Sequence, residues 1–194
     1  MIKSKAEYYE YLRLDKKANN IKTSSFQCKL ASFLSPNLIW KFLKTMRRLE
    51  YHTNCKNNGL NKIYYWYLRY KYKKISVKLN FSIPINIFGP GLSIVHYGTI
   101  VINNAVRVGK NCRIHACVNI GASSGEKEAP QIGDNVYIGP GAKIYGNIKI
   151  ANNIAIGANA VVNKSFHDEN IAIAGVPAKV IGSVKIEKII KHLK

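Results

Sequence analysis

Four cysteines, Cys28, Cys55, Cys112 and Cys117, are the first residues of this sequence that could act as nucleophiles or metal ligands. They form no CxxC pair and no zinc-ligand spacing. No metal is therefore expected. Cys112 and Cys117 stand among alternating apolar residues and read as small buried hydrophobes, and a reducing compartment would keep such thiols free. The second reactive-looking stretch is aromatic and basic: Tyr64-Tyr65-Trp66-Tyr67-Leu68-Arg69-Tyr70-Lys71-Tyr72-Lys73-Lys74. Rings among cations could stack nucleobases. They could also lie at a lipid interface, with rings at headgroup depth and cations on anionic lipid. A third reading is an amphipathic helix whose rings pack on the rest of the chain while its cations stay solvated. No nucleic-acid-binding motif accompanies the stretch, so no nucleic-acid partner is expected. Neither a Rossmann glycine fingerprint nor a P-loop is present.

The elements that must carry these residues differ between two parts of the chain. Of 194 residues, 30 are Lys or Arg and 10 Asp or Glu, a formal net charge of +20. Such a surface attracts anions, whether nucleic acid, anionic lipid, phosphorylated cofactors or acidic glycans. Residues 1–80 carry a net +14 and hold nine of the 12 tyrosines, whereas 13 of the 14 glycines fall at or after Gly89. The first part reads as two or three helices. One covers Ser4–Asn19, one starts near Pro36, which suits a first helical turn, and runs to Leu49, and one covers Asn61–Leu79. No run reaches the ~18 apolar residues of a membrane-spanning helix, and the first residues lack the apolar stretch of a signal peptide. The expectation is a cytoplasmic protein, with peripheral contact to the inner membrane face through residues 1–80 as one reading of the basic arm.

From residue 100 onward an internal repeat dominates. Apolar residues recur six apart at Ile102, Val108, Ile114 and Ile120, and in the same phase at Ile132, Ile138, Ile144, Ile150, Ile156 and Val162. A companion series sits two positions earlier, including Ile100, Val106, Cys112, Val118, Val136, Ala142, Ile148, Ile154 and Ala160. Six is the period of a short strand with two inward residues followed by a turn, where Gly and Asn tolerate left-handed backbone. Three units close a triangular coil of about 18 residues, and coils bury their apolar edges only against their neighbours. The predicted fold class is mainly β: a parallel β-helix of hexapeptide repeats over 81–182, left-handed as coils of this repeat type are known to be. An α-helical region (1–80) precedes it, and a short amphipathic helix (183–194) follows, capping the open end. Residues 121–131 keep the phase but lack apolar positions, and read as a loop projecting from one corner, where binding residues tend to sit.

Three segments carry a family resemblance: Gly89-Pro90-Gly91-Leu92-Ser93-Ile94-Val95-His96-Tyr97-Gly98-Thr99-Ile100-Val101-Ile102, Gly139-Pro140-Gly141-Ala142-Lys143-Ile144-Tyr145-Gly146-Asn147-Ile148 and Ala174-Gly175-Val176-Pro177-Ala178-Lys179-Val180-Ile181-Gly182. The chain resembles the hexapeptide-repeat acyltransferases, in particular the serine O-acetyltransferases and their relatives, over roughly residues 81–182. The resemblance implies transfer of acetyl from acetyl-CoA to a hydroxyl, a homotrimer or dimer of trimers, and a site in the groove between neighbouring prisms. It makes His96 the general base, a role that suits an imidazole titrating near neutrality. Two departures stand out. The Asp that lies fifteen residues before this His in serine acetyltransferases is Phe81 here, and the His before the Pro of the projecting loop is Ala129.

Those departures point to an acceptor other than serine, and the pattern looks closer to the acetyltransferases that modify capsular and other surface polysaccharides. The expected activity is thus O-acetylation of a sugar or surface-glycan precursor. Serine acetylation is the alternative, and a non-catalytic β-helix adaptor with a membrane-facing arm is the reading from another class. Without the Asp, a backbone carbonyl, Glu126, Glu128 or Asp134 would orient His96. His115, following Ile114 and pointing outward, is the second candidate catalytic residue; His52, His167 and His192 have no supporting context. For acetyl-CoA the candidates are Gly121 and Gly139, the column Ala142, Ala160 and Ala178, where small side chains would let a pantetheine arm approach the backbone, and Lys164 and Lys179, with Lys185, for the phosphates.

Overall fold

The computed structural model describes residues 1–21, 37–56, 61–123 and 125–193. Cys28, Gly59 and the expected helix start at Pro36 lie outside those residues. Three helices form the arm: α1 (Lys5–Ala18), α2 (Leu38–Cys55) and α3 (Lys62–Leu79). Ser4 caps α1 by accepting the Glu7 N–H, and Asn37 caps α2 by accepting the Trp40 N–H. Both are side chains suited to satisfying the free amides of a first turn. α3 ends at Asn80, whose φ of 59° is left-handed, the αL stop that Asn accepts more readily than most residues.

The rest is the coil. Its first face stacks β1 (Phe81–Ser82), β3 (Ile100–Ile102), β6 (Val118–Gly121), β9 (Lys143–Tyr145) and β12 (Val161–Val162). The second stacks β4 (Arg107–Val108), β7 (Gln131–Ile132) and β10 (Lys149–Ile150). The third stacks β2 (Ser93–Ile94), β5 (Arg113–Ile114), β8 (Tyr137–Ile138), β11 (Ala155–Ile156), β13 (Ile171–Ala174) and β14 (Lys179–Ser183). All pairs within the faces are parallel except β13 with β14. With the helices before it, this is a left-handed parallel β-helix. Inward residues stack coil upon coil, Ile100 on Val118 and Ile120 on Ile144 on Val162. All five are fully buried or nearly so, each contributing about 1.5–3 kcal/mol. The corners use asparagine as expected: Asn111, Asn135 and Asn153 hold φ of 56°, 56° and 59°, and their side-chain amides form a ladder with two steps of 2.9 Å.

The C-terminal segment departs from expectation. After β14 it forms two 3₁₀ turns, Ile186–Lys188 and Lys191–Leu193, in place of a helix. It does not lie over the open end. Ile186 and Ile190 pack with Ala155 on the third face, beside Tyr137 and Ala172, and the last turn reaches α1. The docked isoleucines decide the path.

A buried ionic network joins arm to coil. Arg47 is fully buried; its Nε donates to Asp15 (2.8 Å), Nη1 to Glu50 (3.0 Å) and to the Phe88 carbonyl (2.9 Å), and Nη2 to the Gly89 carbonyl (2.7 Å). Asp15 also accepts the Gly91 and Leu92 amides, and Glu50 accepts the Asn86 amide. Every charge here has a counter-charge and hydrogen bonds, the condition for burying ions at tolerable cost.

Candidate active site

His96 sits on the corner between the third and first faces, just after β2 and before β3, and is exposed. Two levels of structure place it. Below, Asp15 holds the Gly91 and Leu92 amides, while the Asn19 side chain donates to the Leu92 carbonyl (2.8 Å) and accepts the Ile94 amide (3.3 Å). These bonds fix β2 on its lower edge. Above, the Val95 amide donates to the Ile114 carbonyl of the next coil (3.1 Å). After His96 the chain turns through Gly98, whose φ of 133° excludes ordinary side chains and whose amide returns to the Leu79 carbonyl (3.2 Å).

A second histidine shares this corner with His96. The His115 ring lies 6.0 Å from the His96 ring, centroid to centroid, and 5.2 Å from the Tyr137 ring, which meets it edge-on. His115 points outward, as its position after the inward Ile114 implies, and is half-buried; its Nε2 is buried with no hydrogen-bond partner among the described residues. Burial first, then the charges of Arg113 and His96, hold its pKa below the ordinary histidine value. His115 is therefore neutral at neutral pH and able to accept as well as donate a proton.

Among the described residues of one chain, no carboxylate shares this corner. Phe81 is buried and packs edge-on against Phe42 at 5.1 Å, so an apolar core contact fills the position where the resembled enzymes carry Asp. Loop 121–131 leaves β6 for β7, at the corner between the first and second faces, so Glu126 and Glu128 stand at a different edge of the prism from His96. Asp134 accepts the Lys110 amide (2.8 Å) and is used in the turns. Ala129 is buried and shares the coil core.

The expected coenzyme residues fare unevenly. Ala142, Ala160 and Ala178 are 0%, 0% and 1% exposed and belong to the core. Their side chains face inward and line no surface, which corrects the reading of them as a pantetheine track: the column exists because only small groups fit that edge. Gly139 is also buried, and a Cβ there would come within 2.8 Å of the Ala158 amide nitrogen and the Ile156 carbonyl oxygen. Its bare backbone is demanded by the coil above, not by a ligand. Gly121 is half-buried at the end of β6, its carbonyl accepting the Gly146 amide (3.1 Å). Lys164 and Lys179 are exposed on the last coil, Lys164 over the Phe166 ring at 5.5 Å; phosphate groups could meet them there. Cys112 is inward and buried, and burial raises its thiol pKa far above the usual value. Cys117 is exposed at a left-handed corner (φ 62°), contrary to the buried position expected. Among the described residues, no group of three His, Cys, Asp or Glu side chains could hold a metal.

Residues 129–164 match the family model described as bacterial transferase hexapeptide (six repeats). A serine acetyltransferase from Staphylococcus aureus (strain Mu50) is 38% identical over 108 residues, 54% of this chain and 50% of that protein. The chain thus matches half the length of this curated relative. Two solved structures are similar over most of the chain. One is serine acetyltransferase from Brucella abortus strain S19 in complex with coenzyme A, 26% identical, TM-score 0.68, covering 93% of this chain and 70% of that one. The other is Neisseria gonorrhoeae serine acetyltransferase in complex with serine, 26% identical, TM-score 0.66, covering 92% and 71%. These likenesses overturn the glycan acceptor expected from the sequence and favour the alternative named beside it, because the relatives are serine acetyltransferases and one holds serine. The changes at Phe81 and Ala129 do not by themselves demand a new substrate, since a site can keep its substrate and exchange the groups around its base. By sequence and by architecture, the coil of this chain is similar to those of bacterial hexapeptide-repeat transferases, serine acetyltransferases among them.

Proposed function

We propose that this chain is an acetyl-CoA-dependent serine O-acetyltransferase. The observation that carries this reading is an exposed corner imidazole, His96, paired with the neutral His115 on a coil similar in sequence and shape to serine acetyltransferases. The likeness to a relative that binds coenzyme A supports acetyl-CoA as donor.

In this mechanism His96 takes the proton of the serine hydroxyl as its oxygen attacks the thioester carbonyl. The tetrahedral oxyanion is held by a backbone N–H from a neighbouring turn. Its collapse breaks the carbon–sulfur bond, and the departing thiolate takes the proton back from the His96 imidazolium. The products are O-acetylserine and the free thiol of coenzyme A. His115 stands in for the missing carboxylate by packing: its neutral ring lies 6.0 Å from the His96 ring, centroid to centroid, and restricts the orientation of that imidazole. A trimer in which each site is shared by two protomers belongs to the same reading, as the resemblance to serine acetyltransferases implies. Use of acetyl-CoA also favours a cytoplasmic enzyme.

The test is thiol release from acetyl-CoA with L-serine as acceptor. Turnover that depends on serine and is lost in His96→Ala supports the reading. Thiol release no faster with serine than without it overturns the acceptor, and unchanged turnover in His96→Ala overturns the base. The orienting role shows in the pH profile: His115→Phe should shift the acid limb of kcat/KM, and His115→Gln should restore part of the rate.

A further inference from the structure

α3 has three distinct sides. Leu68, Ile75, Ser76 and Leu79 are buried against the arm and coil. The opposite side is an apolar and aromatic stripe open to solvent: Ile63 is 86% exposed, Trp66 61%, Tyr70 59% and Val77 62%, with Tyr67 alongside at 52%. At about 100° per residue these five positions fall within one broad arc of the helix. The borders of the stripe are cationic. Lys62, Arg69 and Lys73 lie on one flank and Lys71 and Lys78 on the other, Lys74 falls within the stripe itself, and α3 contains no acidic residue. Arg69 sits over the Trp66 ring at 5.2 Å and Lys74 over the Tyr70 ring at 5.0 Å. α2 extends the field, because Lys44 has Arg48, Lys71 and Lys41 close enough to lower its pKa, after the larger effect of burial.

We propose that this side of α3 docks the protein on an anionic lipid bilayer surface. The stripe sets aliphatic and aromatic groups at acyl-boundary depth while the flanking cations meet anionic headgroups on both sides. A second copy of the chain fits poorly. A two-fold contact would set α3 against α3, six cations facing six with no carboxylate between them. The chain has only 10 acidic residues to offer elsewhere, and Asp15 and Glu50 are already engaged with Arg47. Nucleic acid fits less well than lipid, since Ile63 and Val77 have no ring to stack on a base. No helix among the described residues is long and apolar enough to cross a membrane, so the contact is interfacial. It does not depend on the acceptor proposed above.

The experiment uses the full chain with extruded vesicles of phosphatidylcholine alone and of phosphatidylcholine mixed with phosphatidylglycerol. Co-sedimentation should occur with the anionic vesicles only and weaken as salt is raised. In a Trp40→Phe background, emission from Trp66 should shift to the blue on binding. The double variant Trp66→Ser/Tyr70→Ser should weaken vesicle binding about tenfold or more, with circular dichroism and vesicle-free thiol release unchanged. Lys73→Glu/Lys78→Glu should weaken it as well and flatten its salt dependence. Equal binding to both vesicle types, binding to neither, or binding untouched by both double variants overturns the proposal. It is also overturned if sedimentation velocity without lipid shows an oligomer that Trp66→Ser/Tyr70→Ser dissociates, because the stripe would then be a protein interface.

Discussion

The coil and the helical arm hold their chains together by different means. In the coil, each inward side chain rests on a residue one turn of the prism away, and the inward positions are apolar throughout, from Ile100 and Val118 to Ile144 and Val162. Its backbone amides are satisfied by the coil above or below. The arm shares an apolar core with the coil through Phe42, Leu43, Met46, Ile75 and Leu79, and is joined to it as well through the charges of Asp15, Arg47 and Glu50. The difference teaches where each part is vulnerable. Loss of one inward residue from the coil is shared between neighbours, whereas loss of one member of the arm's network leaves the others charged and dry.

The corner at His96 should stand outside this contrast. His96→Ala is expected to lower turnover by about 10²–10⁴-fold with no change in thermal unfolding; a large fall in Tm would make that corner scaffold instead of chemistry. Arg47→Met tests the junction. It strands Asp15 and Glu50 and is expected to cost about 3–5 kcal/mol in urea unfolding; Asp15→Leu and Glu50→Leu added to it should recover much of the loss. If Arg47→Met costs no more than a surface change, the arm is held by packing alone. Asn135→Ala tests the corners of the coil. It forces alanine to a left-handed φ of 56° and interrupts the asparagine ladder, and should cost about 1–2 kcal/mol.

The smallest effect separates the regions by pH. His52 in the arm, His115 in the coil and His192 in the tail all have pKa values lowered, each first by burial and then by nearby cations. The folded state then binds fewer protons than the unfolded state as pH falls through the ordinary value of 6.5. Stability is present above that pH and declines as pH falls through and below it. A shallow drop in Tm between about pH 7.5 and 5.5 is expected, and replacing His52, His115 and His192 together by Gln should flatten it.

Sequence patterning made the coil legible because a period of six matches neither a helix nor a flat strand, and the left-handed asparagines follow from the same pattern. His96 and His115 were legible as a pair of candidates, but their separation was not, since Ile94 and Ile114 become neighbours only once coils stack. The alanine column shows how one feature can mislead. Ala142 and Ala160 recur with the coil period and stand in the inward phase of the repeat; regular spacing identifies a column without saying whether it faces solvent, and the phase already answered that. The junction gave no signal. Asp15 and Arg47 lie 32 residues apart on separate helices, and nothing in either helix distinguishes them from solvated charges. The tail was ambiguous because the spacing of Ile186 and Ile190 suits both a helix and a docked strap.

The ends of the prism also decide how copies of the chain can behave at high concentration. A parallel stack of strands exposes unpaired amides and carbonyls at its first and last rung, which invites another stack to continue it. Below β2 the primary amide of Asn19 occupies the Leu92 carbonyl and the Ile94 amide, imitating a strand that is not there. At the other end β14 runs against the direction of every rung before it, so an arriving coil would meet the wrong polarity. On this third face, continuation of the stack by another coil is thereby opposed at both ends, by one side chain below and one reversed strand above.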